Sequence, residues 1–265
     1  MHFKNKVIWI TGASSGIGEE LALQFSKQEA KLIITARNLY RLNKVQQNCL
    51  NYTTSCKIVS ADLSNEQFTE QAVHTALKQF GNIDIVILNA GVTQRSLAIE
   101  TDLQVYKNLM NINFYAPLII TQKLLPYFKQ QQSGHIVAIS SMAGLMGFPL
   151  RSGYAAAKHA MMGYFETLQT EKPVNGLHFT IVSPGRINTD ISMSALTKNG
   201  STHQIKDKGQ LNGIAVNKCA DKIINAIKNK RKHITIARGE YLLWVIKWFI
   251  PSLFYKIAHK KGMEQ

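Results

Sequence analysis

The sequence predicts an α/β fold built on a doubly wound sheet of about seven parallel strands, and three observations support it. Short segments rich in Val and Ile alternate with longer segments of mixed polarity along the chain. The short segments are apolar at successive positions, as expected for strands that are covered on both faces. The connections are short, and this alternation favours right-handed crossovers within one sheet.

The predicted elements follow one another in regular order. Strands are expected at residues 7–11, 31–36, 56–60, 83–88, 135–140, 177–183 and 232–236. Helices are expected near residues 16–28, 38–49, 65–80, 102–131, 152–171 and 215–229. Residues 189–213 break this rhythm with a polar stretch that is long for such a connection, and we interpret it as a candidate lid.

No internal repeat, low-complexity tract or linker divides the 265 residues, so one domain is expected. Residues 1–238 would form its body, and residues 239–265 would add a C-terminal helical extension rich in aromatic and basic residues. The apolar run at 241–255 is interrupted by Lys247 and Pro251 and is shorter than the ~20 residues of a membrane span. Pro251 is expected to begin a second short helix. Such an extension suits either a membrane interface or a partner subunit.

Charge and cysteine content restrict the functional class. The net charge is +15, and residues 198–265 contribute 14 basic against 4 acidic residues. This excess fits a solvated basic surface, or attraction to an anionic membrane or an acidic partner. Basic and aromatic residues do not interleave, so no nucleic-acid partner is expected. The three cysteines, Cys49, Cys56 and Cys219, show no C-x-x-C spacing, and no His, Cys, Asp and Glu cluster suggests a metal. No signal peptide is recognisable, and a cytoplasmic location is expected.

A glycine-rich turn joins the first predicted strand to the first predicted helix. Glycines at these positions allow a tight turn and a close approach of the backbone to a pyrophosphate, while the helix N-terminus attracts the anion. The turn therefore predicts a Rossmann-type dinucleotide site. Its candidate contact residues are Gly12, Ser14, Ser15, Gly16, Ile17 and Gly18.

The end of the second predicted strand bears on the choice of cofactor. An NAD site of this kind needs an acidic residue there, which accepts the ribose 2′-hydroxyl. The segment reads Ile33-Ile34-Thr35-Ala36-Arg37 and offers an arginine instead. A guanidinium suits a 2′-phosphate. The sequence thus favours NADP, as NADPH, and the NADP-binding catalytic part would be residues 1–238.

Tyr154 and Lys158 lie four positions apart within a predicted helix and so share one face. A tyrosine with a pKa of ~10 that works as a general acid or base at pH ~7 needs about 4 kcal/mol of stabilisation of its phenolate. A cation ~4 Å away supplies about that much at an effective dielectric constant of ~20. The pair is therefore a candidate catalytic unit.

These motifs, in their order and spacing, resemble those of the short-chain dehydrogenase/reductase family over residues 5 to about 237. The further motifs are Asn89-Ala90-Gly91 after the fourth strand, Asn113 within the long helix, Ser141 thirteen residues before Tyr154, and Pro184-Gly185-Arg186-Ile187-Asn188-Thr189 after the sixth strand. Leu88 departs from the family's common Asn-Asn-Ala-Gly pattern, which removes one structural hydrogen bond.

The resemblance implies a role for each matching residue. Tyr154 would give a proton to the developing alkoxide, or remove one in the oxidative direction, and Lys158 would lower its pKa and hold the nicotinamide ribose. Ser141 would hydrogen-bond the substrate oxygen, and Asn113 would anchor a water. The remaining implied cofactor contacts are Asp62, Leu63, Asn89, Ala90 and Gly91 on the adenosine side, and Pro184, Gly185, Ile187 and Thr189 on the nicotinamide side.

The residues expected to face the substrate are mostly apolar, which favours a lipophilic carbonyl or alcohol. They are Thr93, Leu145, Met146 and Phe148, with Val92, Ile191, Met193 and Leu196 as further candidates. The segment Thr35-Ala36-Arg37, the basic run Lys230-Arg231-Lys232 and the aromatic tail resemble one branch of the family, the dehydrogenase/reductase member-seven group with its steroid- and retinoid-reducing relatives. That resemblance implies membrane-associated reduction of hydrophobic carbonyls.

The sequence thus predicts an NADPH-dependent oxidoreductase that interconverts a lipophilic ketone or aldehyde and its alcohol. Two alternatives stay open. A 3-oxoacyl-thioester reductase would suit the basic C-terminal quarter through an acidic carrier protein, and a non-catalytic NADP-binding sensor or scaffold would keep the fold without turnover. The set of Ser141, Tyr154 and Lys158 favours an enzyme. The resemblance also implies a homodimer or homotetramer built partly on the two long helices.

Overall fold

Seven parallel strands form one sheet in this computed structural model, which describes residues 2–263, and their order is β3-β2-β1-β4-β5-β6-β7. The order in which strands are added reverses between β1 and β4, because β2 and β3 lie on one side of β1 and β4 to β7 lie on the other. The sheet is therefore doubly wound, and the predicted fold class is confirmed. The strands are β1 (Val7–Thr11), β2 (Lys31–Thr35), β3 (Cys56–Ile58), β4 (Ile85–Leu88), β5 (Gly134–Ile139), β6 (Leu177–Pro184) and β7 (His233–Ile236).

Helices cover both faces of the sheet. They are α1 (Gly16–Ser26), α2 (Leu39–Leu50), α3 (Glu66–Phe80), α4 (Leu103–Met110), α5 (Ala116–Gln131), α6 (Ser152–Glu171), α7 (Lys208–Leu211), α8 (Val216–Lys228), α9 (Gly239–Phe249) and α10 (Pro251–Met263). Side chains of one strand alternate between the two layers. In β1, Ile8 and Ile10 pack with α1 and α8, whereas Val7 and Trp9 pack with α3, α5 and α6. This two-sided burial explains why the strands are continuously apolar.

Asparagine side chains begin two of these helices. The side chain of Asn38 accepts a hydrogen bond from the backbone N–H of Arg41 at 3.0 Å, and that of Asn65 accepts one from Phe68 at 3.1 Å. Each cap satisfies a backbone donor that has no partner within the helix and is worth about 1 kcal/mol. The caps set the first residue of α2, which follows β2, and of α3, which follows β3.

Three predicted boundaries were wrong. The third and fourth strands are shorter than expected, because β3 ends at Ile58 and β4 begins at Ile85. The predicted helix 102–131 is two helices, α4 and α5, joined by a π-helical turn at Asn111–Tyr115. Pro117 has no N–H to donate to the carbonyl of Asn113, so the regular ladder is broken there.

The predicted long connection between β6 and α8 is present and is anchored at several points. Leu196 forms isolated bridges with Gln94 and Thr202, and Ile187 pairs with Ile214 at the base of the connection. The short helix α7 lies within it. These contacts hold residues 189–213 against the carboxyl edge of the sheet, and the lid role stays a prediction.

The C-terminal extension consists of two helices, and Pro251 begins the second of them as predicted. Phe254 and Ala258 of α10 are buried against Met142 and Met146, with Leu243 of α9 packed beside them. The two helices are therefore attached to the segment that follows β5. Among residues 2–263, no helix is both long and apolar enough to cross a membrane.

Candidate active site

A cleft of about 510 Å³ opens at the carboxyl edge of the sheet. Parallel sheets of this topology bind ligands at that edge, near the point where strand order reverses. The cleft brings together all four predicted catalytic residues and several predicted cofactor contacts. These are Asn113, Ser141, Tyr154 and Lys158, with Ile17, Asn89, Gly91, Pro184, Gly185, Ile187 and Thr189.

Ile17 of the glycine turn lines this cleft, and the other predicted contacts of the turn lie beside it. Gly12 has φ +65°, and a Cβ on it would lie 2.7 Å from Cα of Ala90, so a side chain there would be both strained and obstructed. Ser14 and Ser15 complete the turn, and Ser15 precedes α1 without capping it through its side chain. Gly16 lies close to Thr189, because a Cβ on Gly16 would be 3.1 Å from the threonine Cγ2. The predicted contacts on either side of a dinucleotide thus approach one another.

Asn89 has a structural task that the sequence prediction did not include. Its side-chain N–H groups donate to the carbonyls of Thr11, at 3.0 Å, and Gly12, at 3.1 Å. The hydroxyl of Thr11 in turn accepts from the backbone N–H groups of Asn89 and Ala90. The end of β4 therefore holds the glycine turn in shape. Position 88 contributes only apolar packing, since Leu88 is buried in the core.

Tyr154 and Lys158 both lie on α6, facing the cleft, and both are buried. The Lys158 amine is 5.9 Å from the centre of the Tyr154 ring and donates to the carbonyl of Ile139 at 2.8 Å. Burial lowers the pKa of Lys158 to about 7. Burial also raises the pKa of Tyr154, against the opposing effects of hydrogen bonding to Ser141 and of the charges of Arg151 and Arg95. The expected lowering of this pKa by Lys158 is therefore not found in the structure.

Two neighbouring serines at the end of β5 have different environments. Both serines line the cleft, and the Ser141 hydroxyl accepts from the backbone N–H of Ala143 at 3.1 Å, which leaves its own proton for another acceptor. The Ser140 hydroxyl donates to the backbone carbonyl of Lys158 at 3.4 Å. This difference favours Ser141 as the serine that meets a ligand.

Asn113 is fully buried in the π-helical turn between α4 and α5. Its side-chain N–H groups donate to the carbonyls of Val92 and Leu109, both at 2.9 Å, and its Oδ1 accepts from the N–H of Val92 at 3.3 Å. Gly91 lies between Asn113 and Lys158, since a Cβ on it would be 2.6 Å from Oδ1 and 3.7 Å from the amine. The amide thus ties the helix to the chain after β4.

Of the predicted adenosine-side residues, Asn89 and Gly91 line the cleft, whereas Arg37, Asp62, Leu63 and Ala90 do not. Arg37 is exposed two positions after the end of β2. Asp62 accepts from the backbone N–H of Ser64, at 3.0 Å, and from its hydroxyl, at 2.8 Å, so its carboxylate is held in a local turn. The side chain of Leu63 is buried in the core, which leaves its backbone as the group that could meet a ligand.

The predicted substrate residues are divided by the structure. Thr93 and Phe148 line the cleft, whereas Leu145 and Met146 do not. Met146 is fully buried beside α10, and the carbonyl of Leu145 accepts from the Lys247 amine at 2.8 Å. Both residues support the C-terminal helices, and their apolar character reflects that packing.

Charged side chains in the cleft were missed by the sequence prediction. They are Arg95, Arg151, Arg186, Asp207, Arg238 and Glu240. Asp207 forms ion pairs with Arg95 and Arg151, and Glu240 with Arg186. Burial lowers the pKa of Arg151 to about 10, together with the charge of Arg95. Arg151 alone is close to a predicted catalytic residue in sequence, since it immediately precedes α6 and lies three positions before Tyr154.

The described part of the chain contains no group of three or more His, Cys, Asp and Glu side chains suited to a metal ion. His135, which is close to the site in sequence, is buried, and its Nε2 is 2.8 Å from the Thr180 hydroxyl. Burial, with the charges of His178 and Lys230, lowers the pKa of His135 to about 3. It is a structural histidine between β5 and β6.

A doubly wound sheet with a glycine turn and a buried Tyr-Lys pair beside a serine defines the class of nucleotide-binding oxidoreductase folds. The family model described as short chain dehydrogenase matches residues 6–200. The chain therefore belongs to the short-chain dehydrogenase family.

Relatives within the family cover nearly the whole chain. Dehydrogenase/reductase SDR family member 7B of Danio rerio is 35% identical and covers 100% of this chain, with 88% of its own length matched. Dehydrogenase/reductase SDR family member 7 of Mus musculus is 34% identical over 98% of this chain and 78% of its own length. Within the family, the chain thus resembles the branch of members 7 and 7B.

Solved structures agree with the fold. A short-chain dehydrogenase/reductase from Burkholderia phymatum, in complex with NAD, superposes with a TM-score of 0.85 at 21% identity, covering 96% of both chains. A short-chain dehydrogenase from Sphingobium yanoikuyae, in complex with NADPH, superposes with a TM-score of 0.76 at 24% identity, covering 87% of both chains. At such identities the likeness concerns the fold alone.

Proposed function

We propose that this protein is an NADPH-dependent oxidoreductase that interconverts a lipophilic ketone or aldehyde and its alcohol, with Tyr154 as general acid and base. The observation that carries the proposal is the convergence of Tyr154, Lys158 and Ser141 on one cleft that Ile17 of the glycine turn also lines. A protein that only binds a nucleotide has no need of a buried phenol beside a serine at that place.

The cleft and the turn fit a nicotinamide dinucleotide. Gly12 allows the tight turn to pack against Ala90, and α1 would present its N-terminal N–H groups and its positive dipole end to a pyrophosphate. The nicotinamide end would be held by Ile187, Thr189 and the segment Pro184–Gly185. The adenosine end would lie along Asp62 and the segment Asn89–Gly91. When bound, the nicotinamide supplies or accepts the hydride.

Tyr154 and Ser141 would act at the substrate oxygen. In reduction, Ser141 would donate a hydrogen bond to the carbonyl oxygen, and the phenol of Tyr154 would transfer its proton as negative charge develops there. Because burial raises the pKa of Tyr154, the phenol keeps its proton at neutral pH until the substrate oxygen takes it. Fixed donors aimed at a developing oxyanion need no reorganisation during the reaction.

Lys158 would hold the cofactor ribose and return a proton to Tyr154. Its amine donates a hydrogen bond to the carbonyl of Ile139. Lys158 lies on the same face of α6 as Tyr154. With its pKa lowered to about 7, the amine both gives up and takes up a proton near neutral pH. Asn113 would serve this relay by anchoring a water beside Gly91.

Arg37 supports NADPH over NADH. It is exposed beyond the carboxyl end of β2, where the ribose 2′ position of a dinucleotide lies in this fold, and no carboxylate stands in its place. A guanidinium forms strong, charge-assisted hydrogen bonds with a phosphate.

The lipophilic substrate is supported by the way in which the charges of the cleft are arranged. Asp207 is paired with Arg95, and Glu240 with Arg186, so these groups satisfy one another within the wall. Phe148, Ile191 and Leu243 supply apolar lining around them. A lipophilic ketone or alcohol needs fewer hydrogen-bonding partners from this wall than a sugar with its many hydroxyl groups would.

A homodimer or homotetramer is also proposed, built partly on the two long helical segments, which are α4 with α5 and α6. Leu103, Tyr115 and Tyr127 are exposed there, although side chains of this size are usually buried. Light scattering on the purified protein tests this point, and a single monomeric mass at micromolar concentration would overturn it.

Turnover of Tyr154→Phe tests the proposed reaction. A panel of ketones and aldehydes is followed by NADPH absorbance, and the variant is expected to lose about 10²–10⁴-fold in kcat while NADPH binding is kept. Tyr164→Phe, on the same helix, is the matched control and should keep its activity. Undiminished turnover in Tyr154→Phe would refute the role of the phenol. A wild-type protein that binds NADPH and reduces no carbonyl would favour a sensor.

A further inference from the structure

The outer surface of helices α9 and α10 carries an unusual number of exposed aromatic and aliphatic side chains. Trp248 is 70% exposed and Phe249 is 82% exposed, at the corner where the two helices meet. The other exposed members are Tyr241, Leu242, Ile250, Leu253 and Tyr255. We call these seven residues the apolar tip. Large exposed apolar side chains that are concentrated on one pair of helices are typical of a binding surface.

The inner faces of the same helices pack on the body of the protein, those of α9 through partly buried side chains. Phe254 and Ala258 are buried against Met142 and Met146, and the Lys247 amine is bound to the carbonyl of Leu145. The helices are thus fixed to the body of the protein in a set orientation. The apolar tip points outwards because the opposite side is committed to packing.

The charge of this region is of one sign. From Tyr241 to Met263 the sequence contains four lysines and no acidic residue. Lys256 and Lys260 are exposed on α10, next to the apolar tip. Glu240, at the start of α9, is paired with Arg186 in the cleft wall. A surface that combines exposed tryptophan and tyrosine with lysine matches the boundary of an anionic membrane.

The same helices form one rim of the active-site cleft. Gly239 and Leu243 of α9, and Ala258 and Gly262 of α10, line it. The apolar tip and the cleft are therefore two sides of one structure. A lipophilic molecule that leaves a membrane at the tip has a short path to the cleft.

We propose that the apolar tip inserts into the interface of an anionic membrane and that Lys256 and Lys260 contact its headgroups, which places the mouth of the cleft against the lipid. The helices lie on the membrane and do not cross it. An 11-residue helix such as α9 is about 16 Å long, roughly half of the ~30 Å hydrocarbon core. A second copy of the chain is disfavoured as the occupant, because two such faces would bring lysines of like charge together.

Vesicle sedimentation with the full chain tests the proposal without turnover, so its outcome is separate from that of the proposed reaction. Vesicles of phosphatidylcholine are compared with vesicles that also contain phosphatidylglycerol. Wild-type protein should bind the anionic vesicles, and Trp248 fluorescence should shift to shorter wavelength. The double variant Trp248→Ser/Phe249→Ser should bind at least about tenfold more weakly. The double variant Tyr52→Ser/Phe68→Ser, exposed aromatic side chains outside the tip, should bind like wild type.

Charge reversal provides the second arm. Lys256→Glu/Lys260→Glu should weaken binding to anionic vesicles by about fivefold or more for each lysine. Lys222→Glu/Lys228→Glu, on the exposed side of α8, makes the same change in net charge and should have a much smaller effect. Equal loss in the two charge variants, or no binding by wild type, would overturn the proposal. So would a wild-type oligomer that dissociates in Trp248→Ser/Phe249→Ser without any vesicles.

Discussion

Arg95 and Asp207, 112 positions apart in the chain, form an ion pair in the wall of the cleft, and their side chains are 5% and 8% exposed. The Nε of Arg95 donates to Oδ2 of Asp207 at 3.1 Å, and Arg151 contacts the same oxygen at 3.4 Å. Asp207 belongs to the long connection between β6 and α8. The pair therefore joins this connection to the strand end that carries the predicted substrate residue Thr93.

Asp207→Asn should destabilise the protein and loosen the connection. Removing the carboxylate leaves buried guanidinium groups without their shared counter-charge, which costs about 3–5 kcal/mol. Urea unfolding measures the loss, and hydrogen exchange should show faster exchange within residues 189–213. The matched control is Asp190→Asn in the same connection, whose pair with Lys206 is 65% exposed on the aspartate side and is worth at most about 1 kcal/mol. Equal effects of the two variants would contradict the argument.

Arg37→Asp should shift the cofactor preference from NADPH towards NADH. The arginine would lose charge-assisted hydrogen bonds to the 2′-phosphate, worth about 1.5–3 kcal/mol, and the aspartate would repel that phosphate while accepting from a 2′-hydroxyl. The ratio of kcat/KM for NADPH to that for NADH should fall by about 10²-fold or more. Arg231→Asp, an exposed arginine on the opposite side of the sheet, makes the same charge change and should leave the ratio as it is. An unchanged ratio in Arg37→Asp would remove the assignment of this residue.

The two serines at the end of β5 offer a comparison within one peptide. Ser141→Ala removes the donor expected at the substrate oxygen, and kcat should fall by about 10²–10³-fold while KM for NADPH stays similar. Ser140→Ala removes a long hydrogen bond to the backbone of α6 and should cost at most about 1 kcal/mol in stability, with a small change in kcat. Steady-state kinetics and thermal unfolding on both variants decide the matter. A larger loss of kcat in Ser140→Ala would reverse the choice between the serines.

Local pattern was sufficient to predict the fold class, the glycine turn and the Tyr154–Lys158 pair. Buried parallel strands are continuously apolar, and residues one helical turn apart necessarily share a face. Pro117 follows the π-helical turn directly and lacks the N–H that a continuous helix would use, a local signal that was overlooked. The contact between Arg95 and Asp207 has no local signal at all, because its partners come from distant loops. The packing of Met146 against Phe254 and Ala258 has no local signal either, because these partners lie over a hundred positions away. Met146 was therefore assigned to the substrate.

Lys158→Met should change the dependence of stability on pH. Burial lowers the pKa of Lys158 to about 7 in the folded protein, well below its value of ~10.4 in an unfolded chain. Between these values the unfolded state holds a proton that the folded state lacks, so the lysine's cost to stability is greatest at pH 7 and below and fades as the pH rises towards 10. The difference in free energy of unfolding, variant minus wild type, should therefore be largest near pH 6–7 and should fall by a few kcal/mol by pH ~10. The carbonyl of Ile139 loses its donor at every pH, and this loss shifts the whole curve by a constant amount. Lys222→Met, an exposed lysine on α8, is the matched control and should differ from wild type by a constant amount. A constant difference in Lys158→Met as well would show that the amine keeps its ordinary pKa, and the proton relay proposed for it would then have no basis.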